Sequence, residues 1–269
     1  MKIKTIKLKN IFIFEDFIIK FKEGLNIINF NDRKINLNIM KVLYAMYEND
    51  KHIGKVNFDL SYTYFKSNAM ELVNDKINII DKNPYIEITY KDKGIFSYDL
   101  LKYEGNKFEL NGLDKFKLGN PNKIIFIPSE NAIFDEGKLF ENYNEYKNTT
   151  DKTDIDLFNR IKKLPKSYIS IEYKVIMDKI INIIQGTPIH RGNEFYIKRN
   201  DKEFRLSNEK IEVKKLAILY FLIENNDIQN QKIIVWPEAK KHIKNCNKYI
   251  IDDILRLLVK ENKQVFISN

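Results

Sequence analysis

Candidate chemistry in this sequence concentrates in two places. Arg33 and Lys34 lie in the turn Phe30-Asn31-Asp32-Arg33-Lys34-Ile35-Asn36-Leu37, between a short apolar run, Leu25-Asn26-Ile27-Ile28, and a pattern of helical period that opens at Asn36. Two adjacent cations there can attract an anion, although side chains do not reproduce the nest of backbone N–H groups that grips a phosphate. Glu238 follows Trp236 and Pro237 at the end of a second apolar run, Ile233-Ile234-Val235, where it reads as a helix-approach or surface residue more readily than as a catalytic base. His190 and His242 are far from both places in sequence and read as surface or packing residues. Cys246 is the single cysteine, which rules out an intramolecular disulfide and a multi-cysteine metal site; it reads as a small packing or surface residue.

The elements that would position these residues are legible in the periodicity. Ile6 and Leu8 alternate with lysines, and Phe17 to Phe21 forms a second run after a turn expected at Glu15-Asp16, so the opening reads as antiparallel β. Gly24 admits the buried-strand run that ends at Ile28. From Asn36 onward, Ile39, Leu43, Met46 and Tyr47 share one helical face. Residues 55 to 118 return to β, with Val56, Phe58, Leu60 and Tyr62 alternating and Ile86, Ile88 and Tyr90 repeating the pattern. A compact run, Ile124 to Ile127, stops at Pro128, and residues 135 to 186 read as a helical, lid-like insertion. Later, Leu216, Leu219, Tyr220 and Ile223 predict a helix, Ile233 to Val235 a strand, Ile250, Ile254, Leu257 and Leu258 a helix, and Val265 to Ile267 a strand. Strand, helix and strand at that spacing form a βαβ unit, so a parallel sheet with a right-handed crossover is expected.

Composition narrows the class. At 269 residues and 43% hydrophobic, the chain is long enough to bury a substantial core in a single α/β unit. Lysines interrupt the first nine residues, unlike a secretory signal, and no stretch approaches the roughly 18 uncharged apolar residues of a membrane span, so a cytoplasmic location is expected. The formal charge of +9 admits non-specific nucleic-acid contact through a lysine-rich surface. Arginine, the residue that reads base edges bidentately, is scarce beside lysine, which argues against sequence-specific readout.

The order of these elements resembles a family. Ile6-Lys7-Leu8-Lys9-Asn10 with Phe12 and Phe14, followed by Gly24-Leu25-Asn26-Ile27-Ile28, resembles the opening of bacterial AAA-family ATP-binding proteins with ABC-class, SMC-like heads. Phe126-Ile127-Pro128-Ser129-Glu130, Asp154-Ile155-Asp156-Leu157, Lys214-Lys215-Leu216-Ala217, Trp236-Pro237-Glu238-Ala239 and Gln264-Val265-Phe266-Ile267-Ser268 are similar to later segments of that family, in the same order. The resemblance spans nearly the whole chain. It implies a P-loop NTPase-like mixed α/β sheet with an antiparallel β subdomain and a helical lid, in one head domain over 1–269. Within it, a β-rich lobe over 1–134 would carry the phosphate loop, 135–186 the lid, and 187–269 the signature and Walker B regions.

The family's chemical groups are largely missing. Its phosphate loop needs G-x-x-x-x-G-K-[ST], but Phe30 and Ile35 stand at the glycine positions, Asn36 replaces the lysine and Leu37 the hydroxyl. After Gly24 the next glycine is Gly54, so no shift of register rescues the loop. Trp236 is followed directly by Pro237, which leaves no room for the magnesium-binding Asp and the water-polarising Glu. In the signature region Ser207 survives, but Ile211 and Glu212 occupy the positions of a Glu-Gly pair. A carboxylate at that glycine would repel phosphate by about 1–4 kcal/mol at surface-like dielectric. The first glutamine is Gln185, too late for the sensing glutamine, and the sequence reaches Asn269 where the switch histidine would begin.

With both half-sites altered, the resemblance implies a pseudo-ATPase that holds no nucleotide, metal or other cofactor and acts as a binding or assembly subunit. Its expected partner is a second copy, or a co-encoded effector or ATPase, in an anti-phage or mobile-element setting. Three other readings stay open: a divergent ATPase that binds ATP and magnesium, a non-specific nucleic-acid binder, and the product of a decaying gene with no maintained role.

Overall fold

The protein is described by a computed structural model over residues 2–48, 84–91, 94–99, 123–129, 152–166 and 168–268. In chain order the first half holds β1 (Ile3–Ile11), β2 (Phe14–Lys20), β3 (Leu25–Ile28), α1 (Arg33–Glu48), β4 (Tyr85–Tyr90), β5 (Gly94–Asp99) and β6 (Ile124–Phe126). After these come α2 (Lys152–Ile161), α3 (Ile171–Ile184), β7 (Thr187–Arg191), β8 (Glu194–Arg199) and β9 (Lys202–Arg205). The chain continues with α4 (Ile211–Glu224), α5 (Asp227–Asn230), β10 (Ile233–Trp236), α6 (Tyr249–Lys260) and β11 (Gln264–Ser268).

Alternation builds the first sheet. Ile6, Leu8, Ile86 and Ile88 are fully buried or nearly so, while Lys7, Lys9 and Glu87 point the other way. The antiparallel order is β2-β1-β4-β5. The first hairpin turns at Phe12-Ile13 rather than at Glu15-Asp16, because Asn10 and Phe12 adopt left-handed backbone, each at φ 55°. Asp16 therefore lies within β2, opposite Lys9, with its carboxylate 3.4 Å from Lys7 Nζ. The strand expected at Val56 to Tyr62 lies outside the described residues.

The second sheet, β3-β11-β10-β6, is wholly parallel and includes the adjacent β10 and β11 joined through α6. Both of its faces are covered, as parallel strands require. On one face Ile124, Phe126, Ile233, Val235 and Phe266 meet α1 and the antiparallel sheet. On the other, Ile125, Ile127, Ile234, Trp236, Val265 and Ile267 meet a larger cluster built by α2, α3, α4 and α6. Leu157, Phe158 and Ile161 of α2 and Tyr173, Ile176 and Ile180 of α3 belong to that cluster, so the described part of 135–186 shares its core with the C-terminal lobe.

A third sheet, β7-β8-β9, was not legible in the periodicity. Its second hairpin closes at Asn200-Asp201, both left-handed at φ 45° and 64°. The first and last strands are stitched together as well. Ile3 N donates to Gln264 Oε1 at 2.8 Å, Gln264 Nε2 donates to Ile3 O at 2.8 Å and to Lys22 O at 3.1 Å, and Val265 N donates to Gly24 O at 2.8 Å. No helix among the described residues is long and apolar enough to cross a membrane.

Candidate functional site

The parallel sheet places β3 and β10 on either side of β11, which brings the turn after Ile28 and the turn after Trp236 to the same end. α1 begins at Arg33, three residues earlier than the apolar pattern predicts. The reason is Asp32. Its Oδ1 accepts hydrogen bonds from Lys34 N at 2.6 Å and Ile35 N at 3.4 Å, and its carbonyl accepts from Asn36 N at 3.1 Å. An aspartate in this position caps the helix and gives the orphan N–H groups of the first turn a partner. Those are the groups a bound phosphate needs, and here a carboxylate of the chain itself already holds two of them.

Asn36 secures the turn from within. Buried to 5% exposure, it accepts from Phe30 N at 2.7 Å through Oδ1 and donates to Phe30 O at 2.9 Å through Nδ2. Phe30 closes edge-on against Phe14 and Phe17, with ring centroids 5.5 and 5.7 Å away. Ile35 is buried and Leu37 is partly buried in the same cluster. Phe30 and Ile35 are therefore packing anchors, and the turn is fixed by side chains on both sides.

Glu238 is not the surface residue expected from sequence. It is 7% exposed, in left-handed backbone at φ 48°, and Arg33 grips it with both arms, Nε to Oε1 at 2.6 Å and Nη2 to Oε2 at 2.9 Å. Lys241 Nζ adds a contact at 3.2 Å, and Glu238 N donates to Ser268 Oγ at 3.0 Å. Burial opposes ionisation of this carboxyl, yet hydrogen bonds from Arg33, Lys241 and Ser129 outweigh it and hold it below the ordinary carboxylate range. A base for water must sit near neutrality and reach its substrate. Glu238 does neither, because its two oxygens are committed to cations.

Beneath it lies Lys215, 1% exposed, with Nζ donating to Glu238 O at 2.7 Å and Lys241 O at 3.0 Å. Burial pulls its ammonium down to about 8, against the opposing pull of the Glu238 charge. This lysine was visible only as part of a helical segment. Nothing in its residue type signals that it is buried beneath Glu238, 23 residues on in sequence.

The signature residues lie elsewhere. Ser207 falls in a 3-10 turn, Leu206–Asn208, and Ile211 and Glu212 open α4. The Glu212 carboxylate is spent on the turn at 244–247, accepting from Lys244 N at 3.1 Å and Asn247 Nδ2 at 2.8 Å. An acid in the first turn also satisfies the positive end of α4, which leaves less there for an external anion. Gln185 ends α3 in left-handed backbone at φ 54°. His190 packs on the rings of Phe195 and Phe221, and His242 and Cys246 are exposed. Among the described residues no group of three or more His, Cys, Asp or Glu could hold a metal ion.

No protein-family model matches the sequence, and no curated protein sequence matches it. Solved structures do match the fold. An SMC head bound to the C-winged helix domain of ScpA aligns with 99% of this chain and 89% of its own, with a TM-score of 0.57 at 14% identity. An SMC head with an extended coiled coil, bound to the C-terminal domain of ScpA derived from Pyrococcus furiosus, covers 98% and 89%, with a TM-score of 0.54 at 12% identity. The recombination mediator protein RecF-ATPrS of the RecFOR pathway covers 100% and 92%, with a TM-score of 0.50 at 16% identity. The chain therefore has the mixed α/β, P-loop fold of ABC-class, SMC-like heads, with antiparallel sheets beside a parallel one.

Proposed function

We propose that this chain is a catalytically silent ABC-class head that serves as a binding or assembly subunit. One observation carries the reading: the backbone groups that would receive a triphosphate after β3 are already satisfied by Asp32 and Asn36. Opening the site would break the Asp32 cap, the Asn36 bridge and the Arg33–Glu238 pair together. Hydrolysis would further need a carboxylate for magnesium and one for water, and the acid that closely follows β10, Glu238, is tied to two cations. A protein partner fits the reading, since two of the similar heads are bound to ScpA. A cytoplasmic setting and a role in phage defence or mobile elements complete the proposal.

Isothermal titration with MgATP tests it. No heat and no turnover are expected; saturable MgATP binding by the unaltered chain would overturn the silent-head reading in favour of a divergent ATPase.

A further inference from the structure

The three most exposed large apolar side chains among the described residues are close in sequence. Leu164, Tyr168 and Ile171 are 77%, 74% and 77% exposed, and Val175 is 46% exposed one helical turn later. Chain geometry keeps them near one another. Ile171 and Val175 are i,i+4 neighbours on α3, about 6 Å apart along its axis. Tyr168 lies within about 11 Å of Ile171, and Leu164 within about 14 Å of Tyr168, by the reach of the chain.

The support beneath them is fixed. On the inner side of α3, Tyr173, Ile176, Ile180 and Ile184 are in the core, and Tyr173 donates to Glu261 at 2.7 Å. Lys179 pairs with Asp253 at 2.8 Å, and the connection from α2 is pinned where Lys166 N donates to Glu224 O at 3.0 Å. Further along, the outer side of α3 turns polar, with Asp178 and Asn182 exposed. The apolar exposure is thus confined to one corner rather than spread along the helix.

Charge distinguishes that corner too. Within 162–175, Lys162, Lys163, Lys166 and Lys174 stand beside Glu172, and Glu224 and Asp227 also meet the segment, at Lys166 N and Lys163 Nζ. Lys163 is occupied by Asp227 at 3.0 Å, while Lys166 and Lys174 are exposed. Exposed apolar side chains this close along the chain, beside exposed lysines, mark an interaction site whose partner carries the opposite sign.

We propose that this corner is a docking surface for an acidic amphipathic helix of a partner protein, its apolar stripe covering Leu164, Tyr168, Ile171 and Val175 and its carboxylates meeting the lysine rim. A membrane surface suits the corner less well. Interfacial binding uses a long continuous apolar face, whereas the exposed large apolar residues of α3 are Ile171 and Val175, with Glu172, Lys174 and Asp178 exposed among and after them. The proposal deepens the assembly reading and rests on it for the existence of a partner; the MgATP titration decides that reading separately.

The test uses the full chain and a fluorescein-labelled 18-residue peptide with leucines at i, i+3, i+4 and i+7 and glutamates on its other face. Its controls are a scrambled peptide of the same composition and vesicles of phosphatidylserine and phosphatidylcholine. Anisotropy should show saturable binding of the ordered peptide only, weakened several-fold when salt is raised. Ile171→Glu with Val175→Glu, and separately Lys166→Glu with Lys174→Glu, should each weaken binding at least tenfold. Ile18→Glu, at an exposed apolar site on β2, should leave it unchanged. Circular dichroism confirms that each variant folds, and the lysine pair keeps the test valid should the apolar pair unfold. No binding, equal binding of the scrambled peptide, indifference to both variant pairs, or preference for the vesicles would each overturn the proposal.

Discussion

Lys215→Met offers the sharpest check on the interior beneath the site. Lys215 is 1% exposed and its ammonium is pulled down to about 8 from an ordinary 10.5. Because the folded value lies below the unfolded one, the unfolded chain holds the proton more tightly between them. Stability therefore rises as pH climbs through that window. The 2.5 separating 8 from 10.5 corresponds to about 3 kcal/mol of lost stability at neutral pH, and between about pH 7.5 and 9.5 roughly 2 kcal/mol of it should return. Methionine removes the titration but leaves the carbonyls of Glu238 and Lys241 without their donor, at about 1–3 kcal/mol each. At pH 7 the two effects nearly offset, so a single-pH comparison decides little. The slope decides it. Urea unfolding of both proteins across that range should show the gap between wild type and variant moving by about 2 kcal/mol in favour of wild type. Parallel curves would refute the burial of a charged amine under Glu238, since every other titrating group is common to both proteins.

Glu238→Gln should cost about 1 kcal/mol at neutral pH, a charge-assisted pair discounted because Arg33 is 52% exposed. Its carboxyl is held below the ordinary range, so the stabilisation is complete above the unfolded value and lost as pH falls through the lower folded one. Wild type and variant should accordingly converge in acid, which denaturation at pH 7 and about pH 3 would reveal. Asp32→Ala removes the cap of α1 and should cost about 1 kcal/mol, read as a drop of about 2–4 °C in melting temperature. Gly186→Ala would place a Cβ 2.6 Å from Ile197 Cγ2 and 2.8 Å from Lys198 O. The neighbouring backbone cannot yield cheaply, so a loss of about 1–3 kcal/mol in urea is expected; an unchanged midpoint would mean that α3 and β8 sit further apart.

What the sequence reveals depends on whether its signal is local. β3, β10, α6 and β11 follow from runs of Ile, Val and Phe whose period alone separates buried strand from amphipathic helix. The turn at Phe12-Ile13 escapes because two apolar residues make it, with Phe12 in a conformation that sequence rules reserve for Gly or Asn. α1 starts early for a reason that was legible in principle, since Asp32 is a standard N-cap residue. The sheet β7-β8-β9 had a cue in its turn rather than its period, the two turn-forming residues Asn200-Asp201. Arg33 and Glu238 belong to another class: 205 residues separate them, and only the juxtaposition of β3 and β10 around β11 makes them partners. The absence of glycine from this turn was plain in the sequence. That Asp32 and Asn36 would hold its backbone groups was not.

The position of β11 sets a timetable for synthesis. β3 lies at the edge of the described parallel sheet and pairs there with β11 alone, whose residues Val265 to Ser268 align with Leu25 to Ile28. At about 5–20 residues per second, a ribosome makes the second partner roughly 12–50 s after the first. For that interval the apolar strand and the antiparallel sheet stitched to Gln264 must persist without their closing neighbour. A chaperone that shields N-terminal β-rich segments should therefore matter more to the yield of this protein than to that of a head whose first strand finds its neighbour early.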